Sequence, residues 1–391
     1  MTGFCSSKIL NFFCLAMFAI LAFSAAAAES EISQMISSLQ VPANSASAIG
    51  PSDMLPSEQG ILGPIALSAG FDDLAYLEKQ IAYFQGLEGI SWLNDGISHA
   101  EPFRDFILAY LSANKLPPEL YFVVMVESSF RVNAVSRSGA AGLWQFMMNS
   151  IGGAMHHNEW MDERYDFWSS TKAALEKLRD NFEQFGDWPL ALAAYNAGSG
   201  RIDRLLKKTG AKTFWELSKS SLMPLETRQY VPRILAAAYV GSHPGRFGLP
   251  ISWNRIVEWD KVEVRTAIPI RKLEETARIP AGILVLGNSE LRFDITPPGV
   301  SSHFIKVPHQ YTQALIAALN SDAIHLDYSL HIILKGDTLF AIGKRYGTNA
   351  KLILEYNPGL SPNHLRIGQK LIIPLLPVTV SAEKPNMDTV S

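Results

Sequence analysis

The stretch Val123-Val124-Met125-Val126-Glu127-Ser128-Ser129-Phe130 sets one carboxylate in a run of apolar side chains. The turn-rich segment from Asn133-Ala134 to Gly142 follows at once. A carboxylate in such surroundings costs stability unless it keeps its proton or finds partners. A carboxylic acid still protonated at neutral pH can protonate a leaving glycosidic oxygen. Glu127 is therefore the candidate general acid. The competing reading is a core glutamate paired with a buried base.

Outward from Glu127 the pattern is helical. Leu74, Leu77, Ile81 and Phe84 recur at helical spacing, as do Phe103, Ile107, Leu108 and Leu111. Pro117-Pro118-Glu119 opens a further helix, prolines suiting a first turn, and that helix carries Glu127. Helical periodicity continues over residues 171–185, 188–195 and 226–240, and no strand alternation interrupts residues 71–240. This predicts a mostly α domain.

Beyond residue 251 the pattern changes. Val262 and Val264 alternate, residues 270–277 read as a helix and residues 305–308 as a strand. The same order returns with a strand at 330–333, helices at 337–346 and 350–357, and a strand at 371–374. The two segments align with Leu273 opposite Leu339, Asn288 opposite Asn357 and Pro308 opposite Pro374, a weak internal repeat whose first copy is degenerate. Asp337 or Thr338 can cap the first helix of the second copy, and Gly347 fits its stop. Leu339, Ile342, Leu352 and Ile373 are expected to form its small core.

The chain has 391 residues, 48% hydrophobic and 18% charged, enough for two or three domains. A net charge of −3 gives no global basic field, so nucleic acid is not an expected partner. Lys8, the apolar residues 9–23 and the alanines ending at Ala28 have the order of an export signal. An uncleaved anchor is the alternative, since residues 9–28 barely suffice to span a bilayer. Cys5 and Cys14 both lie in this segment, and Cys14 sits mid-run, which argues against lipidation. A cleaved chain would hold no disulfide and no cysteine metal site; no metal or cofactor is expected.

Four segments of the helical region belong together: Glu127-Ser128-Ser129-Phe130, residues 138–146 (Ser-Gly-Ala-Ala-Gly-Leu-Trp-Gln-Phe), Ala193-Ala194-Tyr195-Asn196-Ala197-Gly198, and Glu226-Thr227-Arg228-Gln229-Tyr230-Val231. In this order and spacing they resemble the lytic transglycosylases of the soluble type, which have a lysozyme-like fold. Residues 330–374 resemble a LysM repeat, through Lys335-Gly336-Asp337-Thr338-Leu339, Glu355-Tyr356-Asn357-Pro358 and the run from Arg366 to Pro374. The fold expected is a mainly α, lysozyme-like catalytic domain followed by small α+β LysM-type (βααβ) modules. The expected domain plan is a signal peptide at 1–28, a flexible linker at 29–68, the catalytic domain at 69–248, a degenerate LysM-like spacer at 249–325, a LysM domain at 329–375 and a disordered tail at 376–391.

The resemblance implies cleavage of the bond between N-acetylmuramic acid and N-acetylglucosamine without water. Glu127 would act as acid and then as base on the C6 hydroxyl, closing a 1,6-anhydro ring. Ser128, Gln145, Tyr195, Asn196 and Tyr230 would contact substrate, and either the substrate's N-acetyl group or electrostatics from Ser128 and Tyr195 would stabilise the cationic centre. From the residues alone, Ser128 reads as a helix-end group bonding backbone, Asn196 as a cleft residue or a helix cap, and Arg228 equally as a partner of Glu226 or another carboxylate or as a substrate contact. Gly139 and Gly142 flank a loop where a sugar chain could approach the backbone, Trp144 and Phe146 read as packing, and Asp166 reads as a helix-start residue. In the LysM segment Gly336, Asp337, Thr338, Leu339, Asn357, Pro358 and Gly359 would border a groove for N-acetylglucosamine chains. Met148-Asn149 departs from the family, which usually has Pro and then Ser or Thr there. The implied partner is peptidoglycan, in the periplasm or cell envelope with membrane association open, and the protein is expected to be a monomer. A goose-type hydrolytic muramidase or a non-catalytic wall-binding protein are the alternatives.

Overall fold

The structure is a computed structural model that describes residues 74–242, 257–297, 302–321, 327–357 and 359–375. The expected signal segment, linker and tail lie outside the described residues. Among the described residues no helix is long and apolar enough to cross a membrane.

The first part is helical. α1 (Leu74–Gln85), α2 (Leu87–Ala100) and α3 (Arg104–Ala113) precede α4 (Tyr121–Ser128), the short helix that carries Glu127. A 3-10 turn at Pro118–Leu120 stands ahead of α4, so the prolines open that turn rather than the helix itself. α4 is apolar nearly all round and buries Tyr121, Phe122, Val123, Val124 and Met125, as a helix at the centre of a core must. It ends at Ser129 and Phe130, whose φ angles of 50° and 57° turn the chain away from helical geometry.

α5 (Phe167–Phe185), α6 (Trp188–Ala197), α7 (Ser199–Thr209), α8 (Phe214–Ser218) and α9 (Leu225–Ser242) follow. α5 begins four residues earlier than the periodicity suggests, because the Asp166 carboxylate accepts the Trp168 N–H at 2.9 Å and caps it. Asp187 caps α6 in the same way through Leu190 N–H.

The second part holds two βααβ units. In the first, β1 (Trp259–Val264) pairs antiparallel with β2 (His303–Pro308) around α10 (Ile270–Ala277) and α11 (Ile283–Gly287), and α12 (Thr312–Leu319) follows. In the second, β3 (Asp327–Ile332) pairs with β4 (Lys370–Leu375) around α13 (Leu339–Tyr346) and α14 (Ala350–Glu355). The repeat extends to hydrogen bonds. Asn288 Nδ2 donates to Leu284 and Lys306 carbonyls while its Oδ1 accepts Lys306 N–H. Asn357 does the same with Ile353 and Ile372. In both units one amide ties the end of the second helix to the last strand.

The units differ in what they pack on. Ile333, Leu339, Ile342, Ile353, Leu371 and Ile373 form a small core of the second. Leu352, expected in that core, faces the other way and packs with Tyr356, Ile372 and Ile295 at the junction of the two units; Ile353 takes the inward place. The first unit instead shares the large core of the helical part. Trp259 Nε1–H donates to the Pro102 carbonyl at 2.7 Å, Val257 N–H to Asp105, and Asp162 N–H to the Glu290 carbonyl. Lys306, almost fully buried, pairs with Asp166 at 3.1 Å and with Glu290.

Candidate active site

Glu127 sits in the last turn of α4, at the floor of an open cleft of about 720 Å³. The loop 136–150 forms one wall and α6 with α9 the other, with Lys177 of α5 also lining the space. Tyr230 of α9 donates its phenol to Glu127 Oε1 at 2.5 Å. Burial pushes the Glu127 carboxyl up to about 7, against the Tyr230 hydrogen bond and the Lys177 charge, while Glu226 adds to the rise. Glu127 therefore holds a proton near neutrality and can release it.

The other expected residues divide into two sets. Gln145, Tyr195, Asn196 and Tyr230 line the cleft with Glu127. Ser128 is not among the lining residues; buried, it donates its hydroxyl to the Leu143 carbonyl at 2.8 Å and anchors the loop. Tyr195 lines the cleft, and its hydroxyl donates to the Trp144 carbonyl at 2.8 Å. Gln145, at a left-handed φ of 50°, spends its amide hydrogens on the Gly142 and Ala134 carbonyls and keeps its amide oxygen. Asn196 accepts from Thr227 at 2.8 Å and donates weakly to Glu226 at 3.5 Å.

Other residues explain the loop. Gly142 has φ 79°, and a Cβ there would stand 1.8 Å from the Arg164 carbonyl; the close approach it allows is to protein backbone, not to sugar. Arg164 pairs with Asp162 and donates to the Gly139 and Phe146 carbonyls, clamping the loop from below. Arg228 binds the Ser220 and Met223 carbonyls and pairs with no carboxylate among the described residues. Trp144 is fully buried and donates to Thr171, as packing requires. The unusual Met148-Asn149 pair starts a 3-10 turn, Met148–Ser150, and Asn149 reaches the cleft.

Lys177 and Arg233 were missed as cleft residues. Lys177 left a faint signal: it falls between the buried Ala173, Ala174 and Leu178 on the apolar stripe of α5, an odd place for a charge. Glu226 was named as a motif residue, but its entry into the cleft depends on how α9 packs across α4. Among the described residues no group of three or more side chains could hold a metal ion.

In the second βααβ unit the expected groove residues are mostly used by the fold. Asp337 lies 2.7 Å from His331 Nε2, accepts Leu334 N–H at 2.8 Å and stands near Arg345. Those partners, Leu334 N–H first, hold its carboxyl below the usual range. Thr338 caps α13 through Ala341 N–H, Leu339 is buried, and Asn357 is spent on its ladder. Gly336 and Gly359 have positive φ and open space around them, which leaves backbone facing outward. Pro358 lies outside the described residues.

Comparison with known proteins places this geometry. Residues 106–218 match the transglycosylase SLT domain and residues 331–374 the LysM domain. Membrane-bound lytic murein transglycosylase D of Escherichia coli (strain K12) is 29% identical over 306 residues, covering 73% of this chain and 66% of that protein. The chain thus spans just under two thirds of that relative's length. Among solved structures, the 70 kDa soluble lytic transglycosylase of Escherichia coli aligns at 18% identity and a TM-score of 0.33, covering 59% of this chain and 45% of that one. An inactive mutant of lytic transglycosylase Slt from Pseudomonas aeruginosa aligns at 23% identity and a TM-score of 0.31, over 39% of this chain and 25% of that one. The mainly helical, lysozyme-like first part and the small βααβ unit at the end are the fold class read from the sequence. The chain carries a transglycosylase SLT domain followed by a LysM domain, and over 306 residues it is homologous to the lytic murein transglycosylase D of Escherichia coli.

Proposed function

We propose that this protein is a peptidoglycan lytic transglycosylase that cleaves between N-acetylmuramic acid and N-acetylglucosamine and leaves 1,6-anhydromuramic acid ends. The observation that carries the reading is Glu127 lining an open cleft and held by the Tyr230 phenol, where burial pushes its carboxyl up to about 7. Because the phenol donates to Oε1, the acid's own proton belongs on Oε2, free to pass to the leaving oxygen. The resulting carboxylate then takes the proton of the C6 hydroxyl, whose oxygen bonds to the anomeric carbon of the same sugar. Ring closure within one residue gains from proximity and needs no water. Tyr230 orients the acid in both steps. The Gln145 amide oxygen is left to accept from an acetamido N–H.

The LysM unit would hold the enzyme on glycan strands, its outward backbone at Gly336 and Gly359 offering the surface. The leader-like first residues and the name of the E. coli relative support work in the cell envelope, in wall turnover. One observation favours a second reading, hydrolysis: the Glu226 carboxylate shares the cleft and could activate water. Mass spectrometry of products from purified sacculi separates them. Anhydro ends that vanish in Glu127→Gln support the lytic reaction; reducing ends that vanish in Glu226→Gln would establish the hydrolase instead.

A further inference from the structure

Lys177 is the cleft residue that neither motif nor fold accounts for. Its ammonium lies 4.7 Å from the centre of the Tyr195 ring and 5.6 Å from that of Phe146. Those rings are themselves fixed, 6.3 Å apart, with Tyr195 pinned to the Trp144 carbonyl. Among the described residues no hydrogen bond or ion pair neutralises this ammonium, although the side chain is half-buried. A desolvated charge without a counter-ion is costly, and aromatic faces recover only part of that cost. The lining groups of the cleft show what the charge faces. From α9 come Glu226, Tyr230 and Arg233, from α6 Tyr195, and from α4 Glu127 itself. Arg233 is drawn aside over Trp92, 5.0 Å from its centre.

We infer that Lys177 is a positioning residue for the Glu127 acid–base cycle: its ammonium, fixed over Tyr195 and Phe146, supplies the positive charge that the carboxylate meets once its proton has left. The inference rests on the role proposed above for Glu127. While Glu127 is neutral, Lys177 gains little from it. When the proton moves to the leaving oxygen, Glu127 becomes an anion in a partly desolvated cleft that already holds Glu226. A cation preset at that moment lowers the energy of the charge-separated state more than that of the ground state, which is what accelerates a step. Burial lowers the Lys177 ammonium's own proton affinity and the Glu127 charge restores part of it, as expected of two groups that share a field. A stem that only covers aromatic rings would need no charge.

The pH profile of kcat/KM on purified sacculi tests this with Lys177→Met, which keeps the stem, and Lys177→Arg, which keeps the charge. Loss of the cation raises the Glu127 carboxyl further, so the alkaline limb of the methionine variant moves to higher pH. Its kcat falls about tenfold with a smaller change in KM, and arginine restores both. A methionine variant whose limb coincides with that of the unmodified protein overturns the inference, as does a change confined to KM, which would mark a substrate anion site. If the methionine variant does not fold, Lys177→Gln replaces it, and 13C titration of the Glu127 carboxyl reads the same shift without turnover. A fully active Glu127→Gln protein refutes the underlying role of Glu127. An inactive Glu127→Gln with an unmoved Lys177→Met profile refutes only the inference about Lys177.

Discussion

Tyr230 Oη and Glu127 Oε1 lie 2.5 Å apart although 103 residues separate them in sequence. The bond joins the end of α4 to the start of α9, so the acid is aimed by the packing of two helices and not by its own loop. Tyr230→Phe keeps the ring and the packing but removes the donor. Since that donor works against burial, the Glu127 carboxyl rises further and the alkaline limb of the activity moves up. The expected loss in kcat is about tenfold, with little change in melting temperature, read from a pH profile and a thermal scan.

Glu127 also makes the fold sensitive to pH. Its folded-state value of about 7 exceeds the ordinary value of 4.5, so the folded protein keeps a proton that the unfolded chain has lost. Stability therefore falls as pH rises from the ordinary value through about 7. Glu127→Gln keeps an acceptor for Tyr230 and removes the buried charge. It is expected to stabilise the protein by about 1–2 kcal/mol near pH 8 and by nothing near pH 4. Equal melting differences at both pH values would refute this.

The helical part was legible because its apolar residues keep a helical period, and Glu127 was legible because a carboxylate broke that period inside a buried helix. Ser128 was legible as a helix-end group bonding backbone, but the particular carbonyls that Ser128 and Tyr195 meet were not. A hydroxyl's hydrogen-bond partner comes from a distant loop, and only folding reveals that the Leu143 and Trp144 carbonyls claim them. Leu352 was misplaced because adjacent apolar residues on a short helix offer two inward choices, and the junction with Ile295 decides between them. The repeat alignment fared better, since Asn288 and Asn357 have the same bonding task.

Lys306 gives a sharper test of how the first βααβ unit is held. Its buried ammonium meets Asp166, the cap of α5, and Glu290, so the pairing fastens that unit to the helical part. Lys306→Met leaves two buried carboxylates without a cation and is expected to cost about 3–5 kcal/mol in urea denaturation. Adding Asp166→Asn and Glu290→Gln removes both charges and should recover most of the loss. A single variant as stable as the unmodified protein would show that the cluster contributes nothing.

Asn288 and Asn357 should report separately on the two units. Each amide makes three bonds to main-chain groups, one of them to a strand N–H. Replacement by Ala leaves a buried donor and acceptor unpaired, at about 2–3 kcal/mol. The first unit shares the large core, so Asn288→Ala is expected to lower the melting transition that also carries the Glu127 site. The second unit has its own small core, so Asn357→Ala should loosen that unit alone. Sacculus binding then weakens while cleavage of short soluble glycan fragments persists. Calorimetry with a binding assay checks both, and a loss of soluble-fragment cleavage in Asn357→Ala would show that the second unit is not independent of the cleft.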